Sequence, residues 1–99
     1  IDVHAAAERI RRGAMVLDVR AVSEYREKRI AGAVNLPYHD LPERLHELPR
    51  DRSIVVHCAT GVRSQIAASL LERHNFADFA HVEGGLDAWI AAGLPVEKG

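Results

Sequence analysis

The segment 53–57 (SIVVH), which is rich in β-branched residues, is the feature that most constrains how this chain can fold. Such residues favour strands, and Cys58 follows the run directly, before a tight turn at 59–63. Residues 64–74 then predict an amphipathic helix. Its apolar face is formed by Ile66, Ala67, Leu70 and Leu71. A buried strand that passes through a short turn into a helix is typical of α/β domains with parallel sheets.

Shorter segments of the same two kinds alternate along the rest of the chain. Apolar runs predict further strands at 15–19, 33–36 and 79–82. Helices are predicted at 3–12, 23–26, 41–47 and 86–92. This alternation predicts a small α/β domain with a mostly parallel sheet, and in such sheets the functional site lies beyond the carboxyl ends of the strands.

Polar residues and glycines mark where these helices should begin and end. The expected N-caps are Asp2, Ser23 and Asp40. Gly13 and Gly93 are the expected ends of the first and last helices. Within the second helix, Glu24 stands four residues before Lys28, a spacing that favours an ion pair between them.

Length and composition narrow the class of protein. The 99 residues predict one domain spanning 1–99, and 47% hydrophobic with 27% charged residues is the balance of a globular chain. A single cysteine excludes a disulfide scaffold. A net charge of −1 makes nucleic acid an unexpected partner. Because the chain starts at Ile1 rather than Met, we expect a processed protein, a trimmed chain or one domain of a longer chain.

Compartment and membrane contact are predicted from the same features. The apolar runs are too short to span a membrane, and no secretory signal opens the chain. With the lone thiol, this predicts a cytoplasmic protein, although a periplasmic protein whose signal had been removed would have the same sequence.

Cys58 is the residue with the strongest chemical signal. It lies where a buried strand ends and a helix is about to begin, so backbone N–H groups should curl around its sulfur. Such donors lower a thiol pKa and favour the thiolate. Gly61 permits the tight turn, and Arg63 offers a fork of donors for an anionic substrate. A lone buried cysteine is more often an apolar filler, but the spacing Cys58, Gly61, Arg63 favours a catalytic nucleophile.

A second strand end carries Asp18 and Arg20. On the residues alone, the two are expected to form a solvated ion pair at a strand terminus. Adjacent strand residues point to opposite faces, so His57 should face away from the Cys58 sulfur. Trp89 is expected to pack in the core or at its edge. The histidines show no metal-ligand spacing, so no metal site is predicted.

Three segments in order make the chain resemble a single-domain rhodanese, a domain of the thiosulfate sulfurtransferase type. The first is Leu17-Asp18-Val19-Arg20 with Glu24-Tyr25, Ile30, Gly32-Ala33 and Asn35-Leu36-Pro37. The second is Cys58-Ala59-Thr60-Gly61-Val62-Arg63-Ser64. The third is Val82-Glu83-Gly84-Gly85 with Ala88-Trp89 and Ala92-Gly93-Leu94-Pro95-Val96. Together they cover nearly all of residues 15–96.

The resemblance implies a fold, a reaction and a site. The fold would be a three-layer domain with a mostly parallel central sheet flanked by helices. The reaction would move a sulfane sulfur from thiosulfate, glutathione persulfide or another low-molecular-weight persulfide, through a persulfide on Cys58, to cyanide or a thiol, without a cofactor. The implied substrate-binding residues are Ala59, Thr60, Gly61, Val62 and Arg63. The implied supporting residues are Asp18, Arg20 and Ser64.

The length and the residues of the Cys58 loop distinguish sulfur transfer from the reactions of related enzymes. Four residues lie between Cys58 and Arg63, where phosphatases and arsenate reductases of similar fold have five, so the loop favours one sulfur atom over a phosphoryl group. Ala59 and Thr60 stand where some thiosulfate-specific relatives have basic residues, which predicts modest binding of thiosulfate. Many relatives also have Gly-His-Ile where this chain has Lys28-Arg29-Ile30.

Three other functions stay open at this stage. A rhodanese-like domain can be a non-enzymatic regulatory module, although the complete loop with Cys58 argues against it. It can also relay sulfur to a fused or partner protein. A thiol–disulfide exchanger is disfavoured, because no second cysteine exists to resolve a disulfide within the chain.

Overall fold

The computed structural model describes residues 1–99 as a parallel sheet between helices. The helices are α1 (Val3–Arg11), α2 (Val22–Glu27), α3 (Leu41–Arg44), α4 (Val62–Arg73) and α5 (Gly85–Ala91), and a 3-10 turn, Leu45–Glu47, follows α3. The strands are β1 (Met15–Asp18), β2 (Lys28–Arg29), β3 (Val34–Asn35), β4 (Ile54–His57), β5 (Phe79–His81) and β6 (Glu97–Lys98). The main sheet has the order β3-β1-β4-β5, and each of its pairs is parallel.

The apolar core lies on both faces of this sheet. Every residue of β1 and β4 is buried, and alternate residues of β4 pack into different clusters. Ile54 and Val56 join the cluster with α3 and α4, whereas Val55 joins the cluster with α1 and α5. The predicted three-layer α/β fold is therefore confirmed, and the central strands are buried throughout because helices cover both of their faces.

The capping of three helices tests the predicted boundaries. Asp2 caps α1 as predicted, since its carboxylate accepts a hydrogen bond from the Ala5 N–H at 2.8 Å. Ser23 is not a cap: α2 begins at Val22, and the Glu24 carboxylate accepts from the Ala21 N–H at 3.1 Å instead. The Asp40 side chain makes no capping bond, and the predicted helix 41–47 divides into α3 and the 3-10 turn.

Helix α4 begins earlier than the sequence predicts. Gly61 takes φ +110°, a conformation that favours glycine, and α4 then starts at Val62 rather than Ser64. Ser64 thus lies inside the first turn of α4, where it is buried. Ala67 and Leu71 face the core as predicted, but Ile66 is 51% exposed, so its assignment to the buried face was wrong.

A second, two-stranded sheet was not predicted. β2 and β6 pair antiparallel, with Lys28 opposite Lys98 and Arg29 opposite Glu97. Two-residue strands carry no periodic signal, and this pairing joins segments far apart in sequence. The sheet holds the end of α2 against the last residues of the chain. As for membranes, none of the helices is both long and apolar enough to cross one.

Candidate active site

The Cys58 sulfur is surrounded by hydrogen-bond donors at the carboxyl end of β4. The Gly61 N–H lies 3.0 Å from Sγ and the Ser64 N–H lies 3.4 Å from it. The Ser64 hydroxyl is 3.7 Å from Sγ. The turn at Gly61 directs these groups inward, because it starts α4 with its unpaired N–H groups facing the strand end. Cys58 is fully buried in the resting structure.

Opposing effects act on the Cys58 thiol. Burial raises its pKa, but the N–H groups of Ser64, Gly61 and Thr60, with the Ser64 hydroxyl, lower it by more, so that the pKa lies below its ordinary value. Hydrogen bonds to the charged form favour the thiolate. The loop therefore favours the anionic form of the sulfur through its own N–H groups and the Ser64 hydroxyl.

The predicted loop residues divide into two groups. Gly61 is buried and Thr60 contributes its backbone N–H, although the Thr60 side chain is exposed. The Val62 side chain is 65% exposed, and Ala59 is half-buried. Ala59 and Val62 thus lie in the loop without a polar contact to Sγ.

The first residues of α5 bind the Cys58 loop on the side opposite the sulfur. The Leu86 N–H donates to the Cys58 carbonyl at 2.8 Å, and the Asp87 N–H donates to the Ala59 carbonyl at 3.0 Å. A Cβ at Gly85 would lie 2.5 Å from the Cys58 carbonyl oxygen, so only glycine permits this approach. These bonds turn the loop carbonyls toward α5, away from the sulfur.

The Ser64 hydroxyl links the sulfur to β5. It donates to the Gly61 carbonyl at 3.1 Å, and its oxygen lies 3.4 Å from Nδ1 of His81. His81 is half-buried. A hydroxyl has one proton and two acceptor lone pairs, so Ser64 donates either to the Gly61 carbonyl or to a Cys58 thiolate, and in both cases it can accept from His81.

Arg63 does not extend freely into the site. Its Nη1 and Nη2 donate to the two carboxylate oxygens of Glu24 at 2.7 and 3.0 Å. The hydrogen bond from Arg63 lowers the pKa of Glu24, although partial burial opposes it. The predicted fork is present, but a carboxylate of α2 occupies it.

Asp18 and Arg20 form a buried ion pair. Arg20 Nη2 and Nε donate to the Asp18 carboxylate at 2.7 and 3.0 Å, and Nη2 also donates to the Lys28 carbonyl at 2.7 Å. Their exposed fractions are 0% and 3%. The expectation of a solvated pair is therefore wrong. The pair joins the end of β1 to β2, beneath the segment that carries Glu24.

His57 lies on the face of β4 away from the sulfur, as predicted. Its neighbour two residues earlier, Val55, packs on the α1–α5 side, whereas Cys58 packs on the α3–α4 side. Its Nδ1 is 3.2 Å from the Cys58 carbonyl, and Nε2 is 3.7 Å from the Asp18 carboxylate without a hydrogen bond. Burial lowers the pKa of His57 and outweighs the opposing effect of Asp18.

Three residues of the site were missed by sequence reasoning. Beyond their place in the segments that carry the family resemblance, the sequence indicates only a pair of Glu24 with Lys28 and a turn at Gly85, and His81 carries no signal. The contact between Glu24 and Arg63 spans 39 positions, and no local pattern indicates it. Trp89 is buried as predicted, and its indole N–H donates to the Pro95 carbonyl at 2.8 Å.

Fold and site together define an α/β domain that presents a hydrogen-bonded cysteine at the carboxyl end of a central strand. The model of the rhodanese-like domain family matches residues 2–92. The chain therefore belongs to the rhodanese family.

Relatives in sequence and in structure agree. A sulfurtransferase of Allochromatium vinosum is 34% identical over 83% of this chain and 77% of its own length. The thiosulfate sulfurtransferase GlpE of Glaesserella parasuis is 31% identical over 87% of this chain and 80% of its own length. The crystal structure of a rhodanese-related protein from Thermoplasma volcanium superposes with a TM-score of 0.92 at 36% identity, covering 98% of this chain and 95% of that chain.

Proposed function

We propose that the protein is a sulfurtransferase that carries the transferred sulfur as a persulfide on Cys58. The observation that carries this proposal is the donor set at Sγ, where two backbone N–H groups lie at 3.0 and 3.4 Å. Preorganised donors of this kind stabilise an anion without reorganising during the reaction. The names of the Allochromatium and Glaesserella relatives support the same reaction class.

In the first step the Cys58 thiolate attacks the sulfane sulfur of the donor. With thiosulfate, a bond forms between Sγ and that sulfur, the donor S–S bond breaks, and its electron pair leaves on sulfite. With an alkyl persulfide, the electron pair of the broken S–S bond leaves on the alkyl thiolate of the donor. That thiolate then takes up the proton of the persulfide and departs as a thiol. In both cases Cys58 ends as an anionic persulfide, which the N–H groups of the loop stabilise.

In the second step a thiophilic acceptor attacks the outer sulfur of that persulfide. Cyanide leaves as thiocyanate, or an acceptor thiol leaves as a new persulfide, and Cys58 returns to the thiolate. Residues 59–63 hold the sulfur in both steps, with Asp18, Arg20 and Ser64 as support. No cofactor enters the cycle. Because a reactive thiol persists best in a reducing compartment, we place the reaction in the cytoplasm.

A relay domain within a longer protein is the second candidate. The adenylyltransferase/sulfurtransferase MoeZ of Mycobacterium tuberculosis is 38% identical over 75% of this chain, but the match covers only 19% of that protein. A chain of this kind can therefore serve inside a larger enzyme. In that case the acceptor would be a neighbouring domain or partner protein rather than cyanide or a small thiol.

Intact-mass spectrometry after incubation with thiosulfate or glutathione persulfide tests the proposal. We expect the wild-type protein to gain the mass of one sulfur atom and to lose it, with release of thiocyanate, when cyanide is added. Cys58→Ser, which keeps the size of the side chain, should gain nothing. A gain in the Cys58→Ser protein, or none in the wild type with either donor, would contradict the persulfide.

A further inference from the structure

The fork of Arg63, the charged group nearest to the Cys58 loop, is already occupied. Glu24 fills it with two hydrogen bonds of 2.7 and 3.0 Å, and the pair is partly buried, with 28% and 35% of the two side chains exposed. A bidentate pair of this kind presents no net charge to a ligand. An anionic donor that binds the same two N–H groups must first displace the carboxylate.

The other cations beside the loop do not outweigh the carboxylates there. Arg20 is held by Asp18 and by the Lys28 carbonyl. The small cavity next to Ala59 is lined by the acidic side chains of Glu24, Glu27 and Asp87, against the basic Arg20 and Lys28. The wall of this cavity thus carries three carboxylates against two cations, a balance that disfavours a dianion.

Exposed apolar side chains lie on the two helices that carry this ion pair. Val62 directly precedes Arg63, and Ile66 lies one turn further along the same face of α4; their exposed fractions are 65% and 51%. On α2, Val22 stands two residues before Glu24 and is 45% exposed. These surfaces suit an alkyl group better than a sulfonate.

We propose that Glu24 is a specificity-determining residue that, by occupying Arg63, selects alkyl persulfides over thiosulfate as sulfur donors. This inference rests on the proposed sulfurtransferase function. In thiosulfate the group next to the transferred sulfur is a charged sulfonate, which requires a cation at the position that Arg63 would supply. In an alkyl persulfide that group is a thiol sulfur on carbon, which requires none.

The first test needs no sulfur transfer. Cys58 is the only cysteine, so its alkylation rates with anionic iodoacetate and neutral iodoacetamide compare an anion with a neutral reagent at the same atom. We expect Glu24→Gln to raise the ratio of the two rates by about three- to tenfold, because the Arg63 guanidinium is no longer neutralised by a bonded carboxylate. Gln keeps an oxygen that can accept from the Ala21 N–H, so α2 should stay capped.

Glu27→Gln is the matched control, because Glu27 lines the same cavity but makes no bond to Arg63. Its rate ratio should change by less than about twofold. The double variant Glu24→Gln with Arg63→Gln should not show the rise in the rate ratio, since it has no guanidinium that the loss of Glu24 could free. An unchanged ratio in Glu24→Gln, or an equal rise in Glu27→Gln, would overturn the role of Glu24.

The second test measures persulfide formation on Cys58 by both donors. We expect kcat/KM for thiosulfate to rise about three- to tenfold in Glu24→Gln, while kcat/KM for glutathione persulfide changes less than twofold. A loss with both donors would make Glu24 a merely structural residue and contradict the inference. If no variant forms a persulfide with either donor, the proposed function fails, but the alkylation ratios still decide whether Glu24 screens Arg63.

Discussion

At Cys58, the hydroxyl of Ser64 helps to stabilise the negative charge of the thiolate. The Ser64 hydroxyl is one of the groups that lower the pKa of the thiol, and it lies 3.7 Å from Sγ. Ser64→Ala removes it but keeps the Ser64 backbone N–H. Because one such hydrogen bond contributes about 1 kcal/mol, the alkylation rate of Cys58 at neutral pH should fall about three- to tenfold, and its pH profile should move to higher pH.

Ser69→Ala is the control for this prediction, since Ser69 lies on the same helix with its side chain exposed. Its alkylation rate should equal that of the wild type. If Ser64→Ala reacts as fast as the wild type while its circular dichroism is unchanged, then the backbone N–H groups alone set the charge of Cys58. The same comparison with His81→Gln shows whether Ser64 depends on its contact with β5.

The sequence is most informative for residues whose environment is local. Cys58, Gly61 and the donors of the loop lie within seven positions of one another. The strand and turn patterns place Cys58 and Gly61 correctly, although α4 begins two residues earlier than predicted. The state of Arg63 could not be predicted, because its partner Glu24 comes from another helix. Likewise, nothing local indicates that Asp18 and Arg20 are buried; β2 and the strands beside β1 cover them.

Among the elements, the contact between α5 and the Cys58 loop decides which way the loop faces. Gly85 has φ +59°, and a Cβ there would meet the backbone of Cys58 and Ala59 at 2.5 and 2.6 Å. Gly85→Ala should lower the free energy of unfolding by about 2–4 kcal/mol, from backbone strain and overlap together. Because the loop must move, persulfide formation should fall further than stability alone explains.

Gly93→Ala separates the two contributions. Gly93 ends α5 with φ +77°, but a Cβ there meets nothing within 4 Å. The free energy of unfolding of Gly93→Ala, measured by urea unfolding, should therefore fall by only about 1 kcal/mol. Its sulfur transfer should stay normal. Equal losses in stability and activity for both variants would show that the close approach of Gly85 to the loop has no functional importance.

Element boundaries follow the same division between local and distant interactions. Asp2, Gly61 and Gly93 act through the residues beside them, and the helices they bound lie close to the predicted positions. The pairing of β2 with β6 depends on residues about 70 positions apart, and two-residue strands have no detectable period. Ser23 is a residue type that often caps helices, but in α2 the Glu24 carboxylate accepts the hydrogen bond at the helix start instead.

For the molecule as a whole, burial of a neutral histidine makes stability depend on pH. The pKa of His57 is lowered in the folded state, so the unfolded chain binds a proton first as the pH falls. Stability is greatest above the ordinary histidine pKa and decreases as the pH falls from there to the lowered folded-state pKa, with a slope of up to about 1.4 kcal/mol per pH unit. Urea unfolding between pH 8 and pH 5 measures this slope.

The charges that face His57 determine how far this acid sensitivity extends. Asp18 lies 3.7 Å from Nε2 and Arg20 is bound to Asp18, so a proton on His57 would enter a buried pair that is already neutral. His57→Gln should be less stable than the wild type at pH 8, because it disturbs a buried site, but its stability should change less between pH 7 and pH 5. His74→Gln, at an exposed histidine, should keep the wild-type slope. If His57→Gln keeps that slope as well, the acid sensitivity arises elsewhere. In that case His57 can take up a proton beside the Asp18–Arg20 pair without lowering the stability of the folded state.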